Sequence, residues 1–252
     1  MDSVGSQPQL SRPERGEVHL WWASLVDARN HPPLVASWLS AAERERADRL
    51  HNREKRARNV ASRVLLRGLL SRYVGVPPGG LQFVKNPAGK PGLAGSEGDL
   101  EFNVSHSGNL WVCAVTSGQP VGIDVEGVRP LSPQHVLPFL APEEQAAWET
   151  AYGAPWGSEG VIALFALWTR KEAYIKGRGL GFHLPLNAFA VTVDPDHPPR
   201  LRYDRRDPEA TTTWTLADLH HFPGVYGALA ISGPLRTLRL RNVQFESGPV
   251  WG

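Results

Sequence analysis

Between residues 164 and 181, LFALWTRKEAYIKGRGLG, the positions Leu164, Leu167, Trp168, Lys171, Glu172 and Ile175 recur at i, i+3, i+4, i+7, i+8 and i+11. That spacing draws one face of a single helix, and the face should be buried. Yet Lys171 and Glu172 stand in it, and Lys176 follows one turn after Glu172. Buried charge is costly unless it is paired, hydrogen-bonded or bound to a metal. The plain alternative is an i, i+4 pair of Glu172 and Lys176 at the edge of an amphipathic helix. Gly177, Gly179 and Gly181 are expected to end this helix rather than cradle a phosphate, because a phosphate loop precedes its helix.

The rest of the chain organises around this helix. Residues 1–16 carry no periodicity and read as a loose tail. Residues 17–26, EVHLWWASLV, form a strand whose Trp21 and Trp22 pack in a core or an interface. From 40 to 73 the pattern is helical: Ser40 caps the start, and Val60, Val64, Leu65 and Leu69 trace a stripe towards Gly75. A turn at 77–80, a short strand at 81–84 and a Gly/Pro loop at 86–93 carrying Lys90 follow. In LEFNVSHSG, Phe102 and Val104 alternate with Asn103 and Ser105, and the strand closes at 105–108. Residues 110–116 are apolar throughout, as in a central strand. In VGIDVE, residues 121–126, Val121, Ile123 and Val125 take one face and Gly122, Asp124 and Glu126 the other. The two carboxylates thus project from one side of a strand, about 7 Å apart at their Cα atoms, and need positive charge nearby. A short helix at 142–152 and an antiparallel meander at 187–193, 200–203, 212–219 and 224–231 complete the pattern, with an edge strand at 237–245 and a loose end at 241–252. The fold class is α/β (α+β), with two halves of similar plan, 17–118 and 119–240.

Composition narrows the chemistry. The 252-residue chain is long enough for a sizeable core, its apolar content is 41%, and 27 Lys and Arg against 25 Asp and Glu leave a net charge of only +2. No global field marks a nucleic-acid binder. Arg residues are nevertheless dense between 43 and 72, which suits either a phosphate-bearing ligand or a solvated helix. One cysteine, Cys113, excludes an internal disulfide framework and is expected simply to pack. No signal peptide or membrane-length apolar run is present, so a cytoplasmic protein with no membrane partner is expected.

Two constellations carry the candidate chemistry. Asp124 and Glu126 from a strand and Glu172 from a helix form the oxygen set that a hard cation such as Mg²⁺ uses, its octahedron completed by water and substrate phosphate. Arg58, Lys90, His106 and Lys176, with Arg44 and Arg46 behind them, lie at helix, loop or strand ends where a polyphosphate can be met. A nucleophilic reading of Ser105, His106 and Ser107 is disfavoured, since neighbours on a strand point to opposite faces.

In this order, FNVSHSG at 102–108, VGIDVE at 121–126 and LWTRKEAYIKGRGLG at 167–181 resemble the 4'-phosphopantetheinyl transferases of the larger, pseudodimeric class that serves polyketide and nonribosomal peptide synthetases. AGKP at 88–91 and the helix around Arg58 add support. The resemblance implies two similar α/β halves about a pseudo-twofold axis, with coenzyme A as substrate and Mg²⁺ in the cleft between them. It implies that Asp124, Glu126 and Glu172 hold the metal against the pyrophosphate and that Lys176 neutralises that pyrophosphate. Arg58, Lys90, Ser105 and His106 would take the adenosine 3'-phosphate end, and Glu172 would deprotonate a serine on an acyl or peptidyl carrier protein, with Asp124 and Lys176 completing the catalytic set. Glu43 stands where many relatives place a basic residue, with Arg44 or Arg46 as substitutes. The carrier is expected to dock between Arg129 and Trp156, and a chain holding both halves of the cleft to be a monomer. A non-catalytic coenzyme A-binding module and a metal-dependent phosphohydrolase are the alternatives.

Overall fold

The computed structural model describes residues 9–26, 37–95, 99–153, 157–245 and 249–251. β1 (Glu17–Ser24) is apolar on both faces because each face meets a different core: Val18 and Leu20 turn one way, Trp21 and Ala23 the other. It lies in the middle of a five-stranded sheet ordered β12-β11-β1-β5-β4, where β4 is Leu100–Ser107, β5 Leu110–Ser117, β11 Thr237–Phe245 and β12 Pro249–Trp251. β1 runs antiparallel to β5 and parallel to β11. The second sheet, antiparallel and ordered β6-β10-β9, comprises β6 (Val121–Gly127), β10 (Val225–Ser232) and β9 (Trp214–Asp218). β2 (Phe83–Lys85) pairs with β3 (Pro91–Leu93), and β7 (Phe189–Val191) with β8 (Leu201–Asp204).

The sheets pack face to face, Val18, Leu20, Val112 and Ala114 against Val121, Ile123, Leu229 and Ile231. A long helix covers the outer face of each. α2 (Arg53–Val74), which follows α1 (Ala41–Asp48), sets Leu65 and Leu69 on Trp21, Trp111 and Cys113. α4 (Ser158–Arg178), which follows α3 (Pro142–Tyr152), sets Leu164, Leu167 and Ala173 on Leu216, Ala228 and Ala230. The order of layers is helix, sheet, sheet, helix, the mixed α/β architecture that the alternating pattern predicts.

Several expected elements differ in the structure. The helix expected over 40–73 is two helices, since Asn52 adopts an extended backbone and its side chain accepts from the Lys55 N–H, starting a new helix after α1 stops at Arg49. The expected meander is divided between the β7–β8 pair and the second sheet, and a helical turn, α5 (Ala210–Thr213), precedes β9. Residues 9–16 are not loose: the Leu10 N–H bonds the Arg72 carbonyl at 2.8 Å and Gln9 Nε2 the Tyr73 carbonyl at 3.0 Å. Nor are residues 241–245 a tail. They continue β11, which is an inner strand of the first sheet rather than its edge, and Val243 enters that half's core.

Candidate active site

Two glycines bring α4 down onto β6. A Cβ added to Gly122 would lie 2.1 Å from the Ala173 carbonyl oxygen and 2.2 Å from the Gly177 nitrogen, and one added to Gly177 would lie 2.6 Å from the Trp214 ring. Only bare backbone fits at this crossing. The approach hangs the last turns of α4, with Glu172 and Lys176, over the outward face of β6, where Asp124 and Glu126 project. Gly179, with φ at +63°, then ends the helix, as its sequence suggests.

The other wall is β4. It and β6 are the facing edges of the two sheets, and they are joined by side chains instead of a backbone ladder. Asn103 Oδ1 accepts from the Ile123 N–H at 2.9 Å, Ser105 Oγ from Val125 at 3.3 Å and Ser107 Oγ from Gly127 at 2.9 Å. Alternation on β4 puts these three polar side chains on one side, so every second β6 donor is met. The same hydroxyls then donate to the carboxylates: Ser105 Oγ to Asp124 Oδ1 at 3.0 Å and Ser107 Oγ to Glu126 Oε2 at 3.4 Å.

Asp124 is the centre of the site. Its Oδ1 receives Lys176 Nζ at 2.5 Å, and the ammonium also reaches Ser105 Oγ at 3.3 Å. Its Oδ2 is buried and has no hydrogen-bond partner. Burial pushes the Asp124 carboxyl up despite the opposing pull of Lys176. Burial raises Glu172 as well, with the negative charges of Asp124 and Glu126 adding to it. The three expected metal ligands therefore share one electrostatic neighbourhood. Arg129 Nη1 holds Glu126 Oε2 at 2.8 Å. Among the described residues no three His, Cys, Asp or Glu side chains converge closely enough to hold an ion as they stand. The donor chemistry nonetheless fits a hard dication, because a desolvated carboxylate oxygen without a partner lies beside two further carboxylates.

The cations divide. His106 is exposed on β4, and partial desolvation, with the positive charges of Lys176 and Arg58 adding to it, holds its pKa below the ordinary histidine value. The Arg58 Nε is buried without a partner while its Nη2 pairs with Glu54 at 2.7 Å. Lys90 is spent differently: Nζ bonds the Val121 carbonyl at 3.0 Å and the Gly177 carbonyl at 3.1 Å, with Glu101 at 3.8 Å, clipping the loop 88–91 to the α4–β6 crossing. Arg44 donates to the Leu39 carbonyl at 2.6 Å, and Arg46 is exposed in the last turn of α1. Glu43 closes the capping box of α1 and holds Arg67 Nε at 2.7 Å, so it fastens α1 to α2.

Two readings of the helical face change. α4 is buried nearly all round, and Lys171 points away from Glu172. Its ammonium, 0% exposed, donates to Glu144 Oε2 at 2.6 Å and to the Phe189 carbonyl at 2.7 Å, and it lies 4.1 Å from the Phe189 ring centre. Nor does Lys176 pair with Glu172 in the i, i+4 manner, since Asp124 takes it. Sequence reasoning passed over Asn103, Ser107 and Arg129 as parts of the site. The alternation along residues 102–107 carried the signal for the first two. A cavity of about 690 Å³ adjoins Glu172 and Lys176, walled by the loop 88–91, Phe139, Trp168, Ile175 and residues 184–187. Of the docking segment expected at 129–156, residues 154–156 lie outside the described residues.

Residues 120–231 match the 4'-phosphopantetheinyl transferase superfamily, and residues 28–118 match the N-terminal region of 4'-phosphopantetheinyl transferases. The 4'-phosphopantetheinyl transferase HetI of Nostoc sp. is 35% identical over 86% of this chain and 88% of its own length. The 4'-phosphopantetheinyl transferase Sfp of Bacillus subtilis is 32% identical over 64% of this chain and 69% of its own. The enzyme gsp of Aneurinibacillus migulanus, of the same name, is 29% identical over 69% and 70%. With its carboxylates and cations gathered where two α/β halves meet, the chain belongs to the 4'-phosphopantetheinyl transferase family and is an enzyme of that type.

Proposed function

We propose that the protein transfers the 4'-phosphopantetheine arm from coenzyme A to a serine hydroxyl of an acyl or peptidyl carrier protein, with Mg²⁺ bound, releasing adenosine 3',5'-bisphosphate. The observation that carries this reading is Asp124, whose Oδ1 is gripped by Lys176 and Ser105 while its Oδ2 is buried and unpartnered. Asp124, Glu126 and Glu172 would hold the metal, which supplies Lewis-acid stabilisation to the pyrophosphate oxygens when bound. Lys176 gives a fixed positive charge where the departing phosphate gathers negative charge. Arg58 and His106, with Ser105, face the 3'-phosphate end. Lys90 positions the loop beside them through its carbonyl bonds. Glu172, raised by burial and by its acidic neighbours, takes the serine proton as the oxygen attacks phosphorus.

We place the enzyme in a reducing, cytoplasmic setting as a monomer. A buried, free Cys113 supports the compartment, and one chain supplying both walls of the site supports the monomer. Among the described residues no helix is long and apolar enough to cross a membrane.

The test is incubation with coenzyme A, Mg²⁺ and purified apo carrier proteins, read by mass spectrometry. The expected result is the phosphopantetheine increment on the carrier serine. Coenzyme A bound without carrier modification points to a binding module, and free phosphopantetheine released without a carrier points to a hydrolase. Asp124→Ala and Glu172→Ala should each lower transfer by about 10²–10³-fold or more, the scale of losing one preorganised electrostatic contact. Glu172→Ala should keep or raise the thermal midpoint of the metal-free protein, because a like charge is removed, whereas Asp124→Ala also loses the bonds from Lys176 and Ser105 and should lower it. Near-normal turnover in either variant would overturn the metal assignment.

A further inference from the structure

The end of α4 is met by a loop from the first half of the chain. The last carbonyls of a helix have no partner within it, and they form the negative end of its dipole. The Gly179 N–H bonds two of them, those of Ile175 at 3.0 Å and Lys176 at 3.2 Å. The carbonyls of Gly177 and, just past the helix, Gly179 are met from the hairpin β2–β3: Lys90 Nζ donates to the first at 3.1 Å and Asn86 Nδ2 to the second at 2.7 Å. Asn86 Oδ1 also accepts from the Lys90 N–H at 2.9 Å, so one side chain both orders the loop and holds the helix end. The fit is close, since a Cβ on Gly179 would lie 2.9 Å from Asn86 Nδ2 and 3.1 Å from Lys90 Cδ. The same Lys90 ammonium takes the carbonyl of Val121, the first residue of β6, at 3.0 Å. One cation thus ties the turn of α4 that carries Lys176 to the strand that carries Asp124.

We propose that Asn86 and Lys90 are positioning residues for transfer: together they cap α4 from across the junction of the halves and fix Lys176 against Asp124, and the Lys90 ammonium serves this cap rather than the donor's 3'-phosphate. This rests on the coenzyme A reading above. Two of the three ammonium donors are on carbonyls, Glu101 lies 3.8 Å away, and the side chain is 13% exposed, which leaves little to offer a ligand. Turning to a phosphate would strand the Val121 and Gly177 carbonyls at the crossing where Gly122 and Gly177 bring α4 onto β6. The cap therefore acts on the reaction through the place it gives Lys176.

The experiment measures transfer to one apo carrier from coenzyme A and from dephospho-coenzyme A, which lacks the 3'-phosphate, together with binding of adenosine 3',5'-bisphosphate by calorimetry. The variants are Lys90→Met and Asn86→Asp. The second keeps the oxygen that orders the loop, loses the donor to Gly179, and changes an exposed residue with little risk to folding. Each should lower kcat by about tenfold, the scale of a small misplacement of Lys176, and by the same factor with both donors. KM for coenzyme A, the Kd of the nucleotide and its calorimetric stoichiometry should stay within about twofold of wild type. In a Lys176→Ala background the further loss from Asn86→Asp should shrink to about twofold or less, because the cap acts through Lys176, whereas a loss of folding alone would add in full. A rise in the coenzyme A KM and the nucleotide Kd with Lys90→Met, without a rise in the dephospho-coenzyme A KM, would make Lys90 a phosphate ligand and overturn the inference. An unchanged kcat in Asn86→Asp, or an undiminished loss in the Lys176→Ala background, would overturn it too. Each of these leaves the transferase reading standing, and no transfer from coenzyme A by the wild type overturns both.

Discussion

Asp124 on β6 and Lys171 on α4 are two buried charges met in different ways. Asp124 keeps an oxygen without a partner, which is unfavourable in the protein by itself and useful only towards a ligand. Lys171 is fully satisfied by Glu144, the Phe189 carbonyl and a ring face, and Glu144 in turn accepts from the Val191 N–H at 2.7 Å and the Ala141 N–H at 2.9 Å. Lys171→Met therefore strands a buried carboxylate and should cost about 3–5 kcal/mol in denaturant unfolding at neutral pH. Burial already raises the Glu144 pKa. Without the ammonium it rises further, so the folded variant holds a proton that the unfolded chain releases. Its stability thus falls as pH rises from the ordinary carboxylate value through the raised one, and the deficit should shrink in acid. His106 offers a second prediction. Partial desolvation and the charges of Lys176 and Arg58 keep it below the ordinary histidine value, and a bound phosphate raises it. Between those two values binding takes up protons, so coenzyme A titrated in buffers of different ionisation enthalpy should show more uptake for the wild type than for His106→Gln. Equal uptake would remove His106 from the phosphate site.

At the scale of elements, the site depends on how closely α4 crosses β6. Gly122→Ala forces a methyl group against the backbone of Ala173 and Gly177, where no side chain can swing away. The expected loss is about 1–3 kcal/mol or more, measured by denaturant unfolding. Transfer should drop at least about tenfold as the 2.5 Å contact between Lys176 and Asp124 opens. Gly92→Ala is the control, since its added methyl meets nothing within 4 Å, and should stay within about 0.5 kcal/mol of wild type. The edges of β4 and β6 make a comparable point. Side chains in place of a ladder join the two sheets at this seam, while Ser105 and Ser107 aim the carboxylates through the same hydroxyls that bond the strand.

At the scale of the whole molecule, the chain returns to where it began. β11 lies beside β1 over registers Glu17 to Thr237 through Trp22 to Asn242, so the last strands of the sequence complete the first sheet. A chain ending at residue 235 leaves the β1 edge unpaired and takes Val243 out of the core. It should lose cooperative unfolding and run as aggregate on size-exclusion chromatography, even though the helix α4 and strand β6 are intact in its sequence. A soluble, cooperatively unfolding truncated chain would show that the halves fold without this closure.

Sequence alone determined the local elements and the chemistry they carry. Alternation placed Asp124 and Glu126 together on one face of β6, and spacing put Glu172 and Lys176 on one long helix stopped by glycine, because side-chain direction follows backbone period over a few residues. Only tertiary structure decided which charges meet. Lys176 goes to Asp124 rather than Glu172, Lys171 to Glu144 and Lys90 to backbone carbonyls, since these pairings join groups 18 to 87 residues apart and depend on the packing of α4 against the second sheet and β7. The parallel return of β11 was beyond reach for the same reason: a strand's period records which face is apolar, and carries no record of which strand lies beside it.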